Sequence, residues 1–295
     1  MDPDPKNLAA CWQDLTVKLK NADLFYGHGA IDAESEAIWI LSHCLGIEPG
    51  FALDNLDLIC DSKKITEAAN IANERIKTRK PLAYILGEAW LMGVPFYCDE
   101  RSIVPRSYIA ELIIDGTLDP WLPPSGKALD LCCGNGSLAI LLALNCPDIE
   151  VSASDISAPA ISLAAKNLDR HQLNKRIEIF HGDLWDPLPE PNDENLFDLI
   201  ICNPPYVNSY SMSVLPSEYH QEPSLALAGG TDGMDLIRKI INGAKDYLAE
   251  RGALILEIGN EYEFFCKAFP EIPVTWIEVS AGDQQVVLID AENLP

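Results

Sequence analysis

The stretch Ala128-Leu129-Asp130-Leu131-Cys132-Cys133-Gly134-Asn135-Gly136 reads as an apolar strand that runs through a glycine turn into a helix. Gly134 and Gly136 let the backbone approach a ligand closely, and the helix N-terminus behind them favours negative charge. The third glycine of a dinucleotide-binding fingerprint is missing, so the same residues also suit a plain strand-to-helix turn. The pattern downstream decides between the two readings. From Lys127 onward strands alternate with helices: strands at Ala128–Cys132, Val151–Ser154, Ile177–Phe180, Leu199–Cys202 and Ala253–Ile258, helices at Gly136–Leu144, Ser157–Leu168 and Met234–Leu248. Such alternation predicts a doubly wound, mainly parallel sheet whose ligands sit at the carboxyl ends of the strands. Val274–Val279 and Gln285–Ile289 lie close together and predict a final antiparallel pair.

Three further groups fall at predicted strand ends. Asp155 ends the second strand, where a carboxylate can accept hydrogen bonds from both hydroxyls of a ribose, or cap the helix starting near Ser157. Asp183 and Leu184 follow the third strand; the acid can accept from an exocyclic adenine amine and the leucine can line the ring, although an acid there also suits an exposed loop. Asn203-Pro204-Pro205-Tyr206 follows Leu199–Cys202 directly. Two prolines forbid a continued central strand, so these residues form a rigid loop. The Asn203 side-chain carbonyl and the Pro204 backbone carbonyl offer two acceptors for the two N–H bonds of a planar NH₂ group, and Tyr206 offers that plane an aromatic face.

Upstream the character differs. Asp32 reads as a helix N-cap, Ile38, Leu41 and Leu45 recur at helical spacing, and Gly46 stops the run. A second helix is predicted over Lys63–Thr78, ending before Pro81. Between 82 and 104, short apolar runs broken by Gly and Pro predict a hairpin, and Pro120 with Pro123-Pro124-Ser125-Gly126 closes a boundary region. The domains expected are therefore a helical one over 1–80, a β-hairpin linker over 81–110 and an α/β one over 111–295.

Composition sets limits on function. The chain has 295 residues, 48% hydrophobic and 22% charged, which is ordinary for a globular protein and excludes disorder. No apolar run approaches the ~20 residues of a membrane-spanning helix. The opening Met1-Asp2-Pro3-Asp4-Pro5 lacks the positive flank and apolar core of a signal peptide, and a cytoplasmic protein is expected. Nine cysteines without a C-x-x-C pair suit reduced, mostly buried thiols, and the five histidines show no ligand spacing, so no metal is expected. The net charge is −24, from 21 basic and 45 acidic residues. A surface this acidic repels phosphate backbones and steers basic partners, and it also serves solubility.

Asp130–Gly136, Asp155, Asp183 and Asn203–Tyr206 together resemble an S-adenosylmethionine-dependent methyltransferase acting on an amide or amine nitrogen. More closely, residues 20–290 resemble the protein glutamine methyltransferases of the HemK/PrmB type. Val104-Pro105-Arg106-Ser107 with Glu111, the segment Pro216 to Pro223, Leu225-Ala226-Leu227 and Gly230-Thr231-Asp232-Gly233 resemble the branch acting on large-subunit ribosomal protein L three. Departures are Cys132-Cys133 in the turn, the order Tyr219-His220-Gln221-Glu222, and Gln284-Gln285.

The resemblance implies a Rossmann-like seven-stranded α/β catalytic domain with a helical N-terminal domain and hairpin linker. It further implies S-adenosylmethionine as cofactor, held by Asp130, Cys132, Cys133, Gly134, Asn135, Gly136, Asp155, Asp183, Leu184 and Asn203, and catalysis by Asn203, Pro204, Pro205 and Tyr206. The substrate implied is a glutamine amide of the basic ribosomal protein. Alternatives are the same reaction on peptide release factors, or a cofactor-binding ribosome assembly factor without turnover. A DNA adenine methyltransferase shares the Asn-Pro-Pro-Tyr loop, but the acidic charge opposes a nucleic-acid substrate.

Overall fold

The computed structural model describes residues 6–295; Met1–Pro5, read above for a targeting signal, lie outside the described residues. The chain forms two compact units. One holds the chain up to Ala89 together with Pro216–Gln221; the other holds Trp90–Leu215 and Glu222–Pro295.

The first unit is helical. Strand β1 (Lys6–Asn7) leads into α1 (Leu8–Lys20), followed by α2 (Ala33–Leu45), α3 (Pro49–Asp54), β2 (Ile59–Cys60), which pairs antiparallel with β1, then α4 (Ser62–Thr78) and α5 (Leu82–Leu86). Asp32 caps α2 through a reciprocal pair of bonds with Ser35, and Gly46 ends it at φ 68°. The predicted hairpin is narrower than the sequence suggested. Tyr84–Leu86 is helical because Pro81 stands at the N-cap of α5 and Gly87 closes it with φ 70°. Only β3 (Glu88–Leu91) and β4 (Val94–Tyr97) form the hairpin, in which the chain passes from one unit to the other.

An ionic cluster lies inside this helical unit. Arg75 is fully buried; its Nε donates to both Glu36 oxygens at 3.1 and 3.2 Å, one Nη to the Phe25 carbonyl at 2.9 Å, and the other faces Glu218 at 3.5 Å. Glu218, from the inserted segment, also accepts from Arg79 at 3.0 Å and from the Phe25 N–H at 3.1 Å. Burial pushes the Glu36 carboxyl up, against the pull of Arg75.

The second unit is built on a seven-stranded sheet. In chain order its elements are α6 (Ile109–Ile114), β5 (Lys127–Leu131), α7 (Ser137–Asn145), β6 (Glu150–Asp155), α8 (Ala158–His171), β7 (Ile177–His181), β8 (Phe197–Cys202), α9 (Ser209–Val214), α10 (Asp235–Tyr247), β9 (Leu248–Glu257), α11 (Tyr262–Ala268), β10 (Thr275–Val279) and β11 (Gly282–Asp290). The strand order is β10-β11-β9-β8-β5-β6-β7, parallel from β7 through β9, with β11 antiparallel to both its neighbours. Side chains alternate between two apolar layers: Ala128, Leu199, Ile201 and Ile255 face the layer holding α6 and α7, while Leu129, Leu131, Ile200 and Leu254 face the layer of α10 and α11. With both faces covered, polar chemistry is left to the strand ends.

The buried Arg75 cluster sets a stability test. Arg75→Ala leaves the Glu36 carboxylate buried without its cation, while Glu218 keeps Arg79, and is expected to cost about 3–5 kcal/mol in urea unfolding followed by circular dichroism. A cost below about 1 kcal/mol would show that the cluster does not hold the helical unit together.

Candidate active site

The carboxyl ends of β5, β6, β7 and β8 open onto a cavity of about 260 Å³. Its lining includes Cys132, Gly134, Asp155, Asp183, Leu184, Asn203 and Pro205, so seven of the residues singled out from sequence meet at one place. The turn after β5 takes three left-handed residues, Cys132 (φ 64°), Gly134 (φ 56°) and Gly136 (φ 78°). Gly136 has a second reason: a Cβ there would stand 3.2 Å from the Ala164 Cβ, so the turn packs tightly on α8.

Asp155 organises the turn. One of its oxygens accepts from the Gly134 N–H and the other from the Ser157 N–H, both at 2.8 Å. Burial pushes its carboxyl up, while those two N–H bonds pull it down. The cap of α8 is Ser157, whose side chain accepts from Ala160, so Asp155 is left to brace the turn and face the cavity. Asp183 is exposed at the rim and Leu184 is buried in the wall with φ 44°.

Asp130, Cys133, Asn135, Gly136, Pro204 and Tyr206 are outside the cavity lining. Asp130 is 1% exposed and turns toward α7, where it accepts from the Ala139 N–H at 2.9 Å; its other oxygen has no hydrogen-bond partner among the described residues. Asn135 is locked behind the turn: its carbonyl accepts from Asn167, whose side chain also brackets the backbone of Tyr97 on both its N–H and its carbonyl. These residues hold the turn in place from behind.

At β8 the Asn203 side chain makes no hydrogen bond with any described residue, and neither does the Pro204 carbonyl. Beyond these acceptors the loop is held at several points. The Val207 N–H donates to the Leu227 carbonyl and the Gly229 N–H to the Val207 carbonyl, and the Asn208 side-chain amide donates to the Glu261 carboxylate at 2.8 and 2.9 Å. Tyr206 donates its hydroxyl to Glu257 at 3.1 Å.

Several lining residues were not assigned to the site from sequence. Arg101, Ser102 and Ile103 come from the segment after the hairpin; Ser154, Ile156 and Ser157 flank Asp155; Pro223, Leu225 and Ala226 come from beyond the Asn203 loop. That last stretch is tied down by Glu222, which accepts from both Arg106 Nη atoms at 2.6 and 2.7 Å and from the Val104 N–H at 2.9 Å. Pro105-Arg106 and Glu222 stand in separate motifs, and nothing local announces their pairing. The Ser154 hydroxyl is buried in the lining with no partner among the described residues. No group of three or more His, Cys, Asp or Glu among the described residues has the arrangement of a metal site.

Burial pushes the Asp130 carboxyl up to about 8, despite the opposing Ala139 N–H. Between roughly pH 4, the ordinary carboxyl value, and about pH 8 the folded protein keeps a proton that the unfolded chain releases. Stability therefore falls as pH rises through that window. Asp130→Asn has no such proton to lose, and its urea midpoint is expected to climb relative to wild type from pH 4 to pH 8. A difference that stays constant with pH would refute a protonated Asp130.

Residues 112–215 match the family model described as the methyltransferase small domain. The ribosomal protein uL3 glutamine methyltransferase of Burkholderia pseudomallei is 43% identical over 288 residues, covering 94% of this chain and 92% of its own. The protein of that name from Neisseria gonorrhoeae is 39% identical over 280 residues, covering 94% and 92%. Among solved structures, the hMettl16 catalytic domain in complex with MAT2A 3'UTR hairpin 6 overlays with a TM-score of 0.50 at 13% identity, over 79% of this chain and 84% of that one, a likeness of fold alone. With relatives this similar along almost its entire length, the chain belongs to the ribosomal protein uL3 glutamine methyltransferases.

Proposed function

We propose that this protein transfers a methyl group from S-adenosylmethionine to the side-chain amide nitrogen of a glutamine in ribosomal protein L3. The observation that carries the reading is the pair of uncommitted acceptors at the end of β8, the Asn203 amide carbonyl and the Pro204 carbonyl, in a loop fixed by the Tyr206 hydroxyl and by the bonds of Val207 and Asn208.

The cavity fits the cofactor on its own evidence. Ser154 is a buried hydroxyl left without a protein partner, beside a carboxylate at the strand end. Asp155 would accept from the ribose hydroxyls, Asp183 and Leu184 would take the edge and face of the adenine, and the Cys132–Gly134 backbone would pass close to the remainder. Asp130, Cys133, Asn135 and Gly136 would act from behind, by fixing the turn. S-adenosylmethionine brings a methyl group already activated on its sulfonium.

The chain's own work is to present the nucleophile. An amide nitrogen is poor at attack because its lone pair is delocalised into the carbonyl. Asn203 and Pro204, by accepting both N–H bonds, push electron density onto that nitrogen and fix its direction; Pro205 keeps a competing N–H out of the loop, and Tyr206 packs along the amide plane. Positioning of this kind is worth several kcal/mol, roughly 7–11 in the best intramolecular cases. The proton leaves after methyl transfer to solvent or to a backbone acceptor. The helical unit serves in recognising the protein substrate, and the acidic charge favours that basic partner over nucleic acid.

Three measurements test the reading. Asp155→Ala is expected to weaken cofactor binding by about 1–3 kcal/mol in a calorimetric titration, since buried ligand hydroxyls lose a charged acceptor; unchanged affinity would remove Asp155 from the cofactor site. Asn203→Ala is expected to lose most turnover on purified L3 at saturation while cofactor affinity stays within a few-fold. Wild-type turnover in that variant would overturn the amide-gripping loop, and faster methylation of a release factor than of L3 by the wild type would overturn the substrate.

A further inference from the structure

Strand β9 runs through Ala253-Leu254-Ile255-Leu256 as buried apolar residues and ends on an acid, Glu257, that is only 2% exposed. Leu256 stands level with Cys202 in the parallel pairing of β9 with β8, so Glu257 comes level with Asn203, the first residue of the catalytic loop. Its carboxylate does not line the cavity. Instead three donors converge on it. The Ser107 hydroxyl at 2.6 Å and the Tyr108 N–H at 2.9 Å approach one oxygen, and the Tyr206 hydroxyl approaches the other at 3.1 Å. A carboxylate kept from water needs such donors, and these three come from parts of the chain about 50 and 150 residues away.

Tyr206 is confined on its other sides by absent side chains. A Cβ at Gly259 would stand 2.5 Å from the tyrosine ring, one at Gly229 would stand 2.7 Å from its Cα, and one at Gly233 would stand 2.2 Å from its carbonyl oxygen. Three glycines thus let neighbouring backbone close on the residue, and the hydroxyl is the one end left to be fixed by a polar bond. We infer that Glu257 is a positioning residue for methyl transfer: through the Tyr206 hydroxyl it sets the orientation of the phenol, and with it the direction of the Asn203 and Pro204 acceptors. The inference rests on the amide-gripping role proposed for that loop.

The bond's length in sequence gives it a second consequence. The same carboxylate that holds Tyr206 holds Ser107 and Tyr108, the segment following the Arg106 that ties Glu222 down. Glu257 therefore registers the loop against the segment that anchors Pro223–Ala226 at the cavity.

The test compares Glu257→Gln, Tyr206→Phe and the double variant, with purified L3 and S-adenosylmethionine. Gln keeps the shape but sets an NH₂ against donors, and Phe removes the hydroxyl alone. Each single variant is expected to lower kcat by about 10- to 100-fold, as a small misplacement does. Cofactor affinity by calorimetry should stay within about two-fold, and the double variant should be no worse than about three-fold below the lower single, the non-multiplicative pattern of two groups sharing one role. A Glu257→Gln protein that is less heat-stable but turns over at the wild-type kcat, well below its Tm, would make the residue structural only and overturn the inference. If Glu257→Gln fails to fold, Tyr206→Phe decides: wild-type kcat there overturns it equally. Asn203→Ala separates the two readings, since a turnover loss there beside unaffected Glu257 and Tyr206 variants sinks only this inference.

Discussion

Two backbone N–H groups, those of Gly134 and Ser157, point at the single carboxylate of Asp155. The first belongs to the turn after β5 and the second to the turn after β6. The ladder between β5 and β6 ends with the bond from the Cys133 N–H to the Ser154 carbonyl, and beyond it the two chains turn away into α7 and α8, which pack side by side in one layer. Asp155 extends the connection with two charge-assisted bonds. The left-handed Cys132 and Gly134, the packing of Gly136 on α8, and the cavity wall all follow from the turn being drawn to that acid. The acid endures its own desolvation because those donors meet it.

The same solution recurs along the carboxyl edge with different partners. Glu257 gathers Ser107, Tyr108 and Tyr206; Glu222 gathers Val104 and Arg106; Glu261 gathers Asn208. Each is buried, each accepts several bonds, and each joins segments distant in the chain. No donor among the described residues reaches the Asn203 side chain or the Pro204 carbonyl. In the proposed reaction, a loop held at its hydroxyl and at its far end keeps these acceptors preorganised for a ligand that brings two N–H bonds.

What could be read from sequence was local. The strand-turn-helix at Ala128–Gly136, the acid at the end of β6, the two-proline loop and the closing antiparallel pair are each written in one short continuous stretch, as periodicity, glycine or proline. Tyr84–Leu86 misled because a short apolar run does not tell strand from helix; its flanking Pro81 and Gly87 held the answer. Glu257 was hidden inside a run that reads only as a buried strand. Glu218 was hidden further still, since its partners Phe25, Arg75 and Arg79 precede it by more than 130 residues. Burial and hydrogen bonding at that range leave no period in the sequence, and the membership of Pro216–Gln221 in the helical unit leaves none either.

The formal charge of −24 takes on a different meaning once burial is known. Glu36, Asp130, Glu218, Glu222, Glu257 and Glu261 are buried, whereas Arg75 is the one buried cation among the described residues. Asp130, pushed up to about 8, is mostly protonated at neutral pH and contributes little charge. Glu36, Glu218 and Glu222 are matched by arginines within the fold. Part of the acidity is thus internal framework, spent on binding loops together and not displayed to a partner. The remaining exposed carboxylates still far outnumber the cations, so attraction of a basic protein survives, but its strength follows from the exposed groups and not from the formal sum. Salt screens those exposed charges and leaves the buried acids at the strand ends nearly untouched. In the proposed reaction, encounter with the substrate would therefore draw on the exposed carboxylates, and geometry at the site on the buried ones.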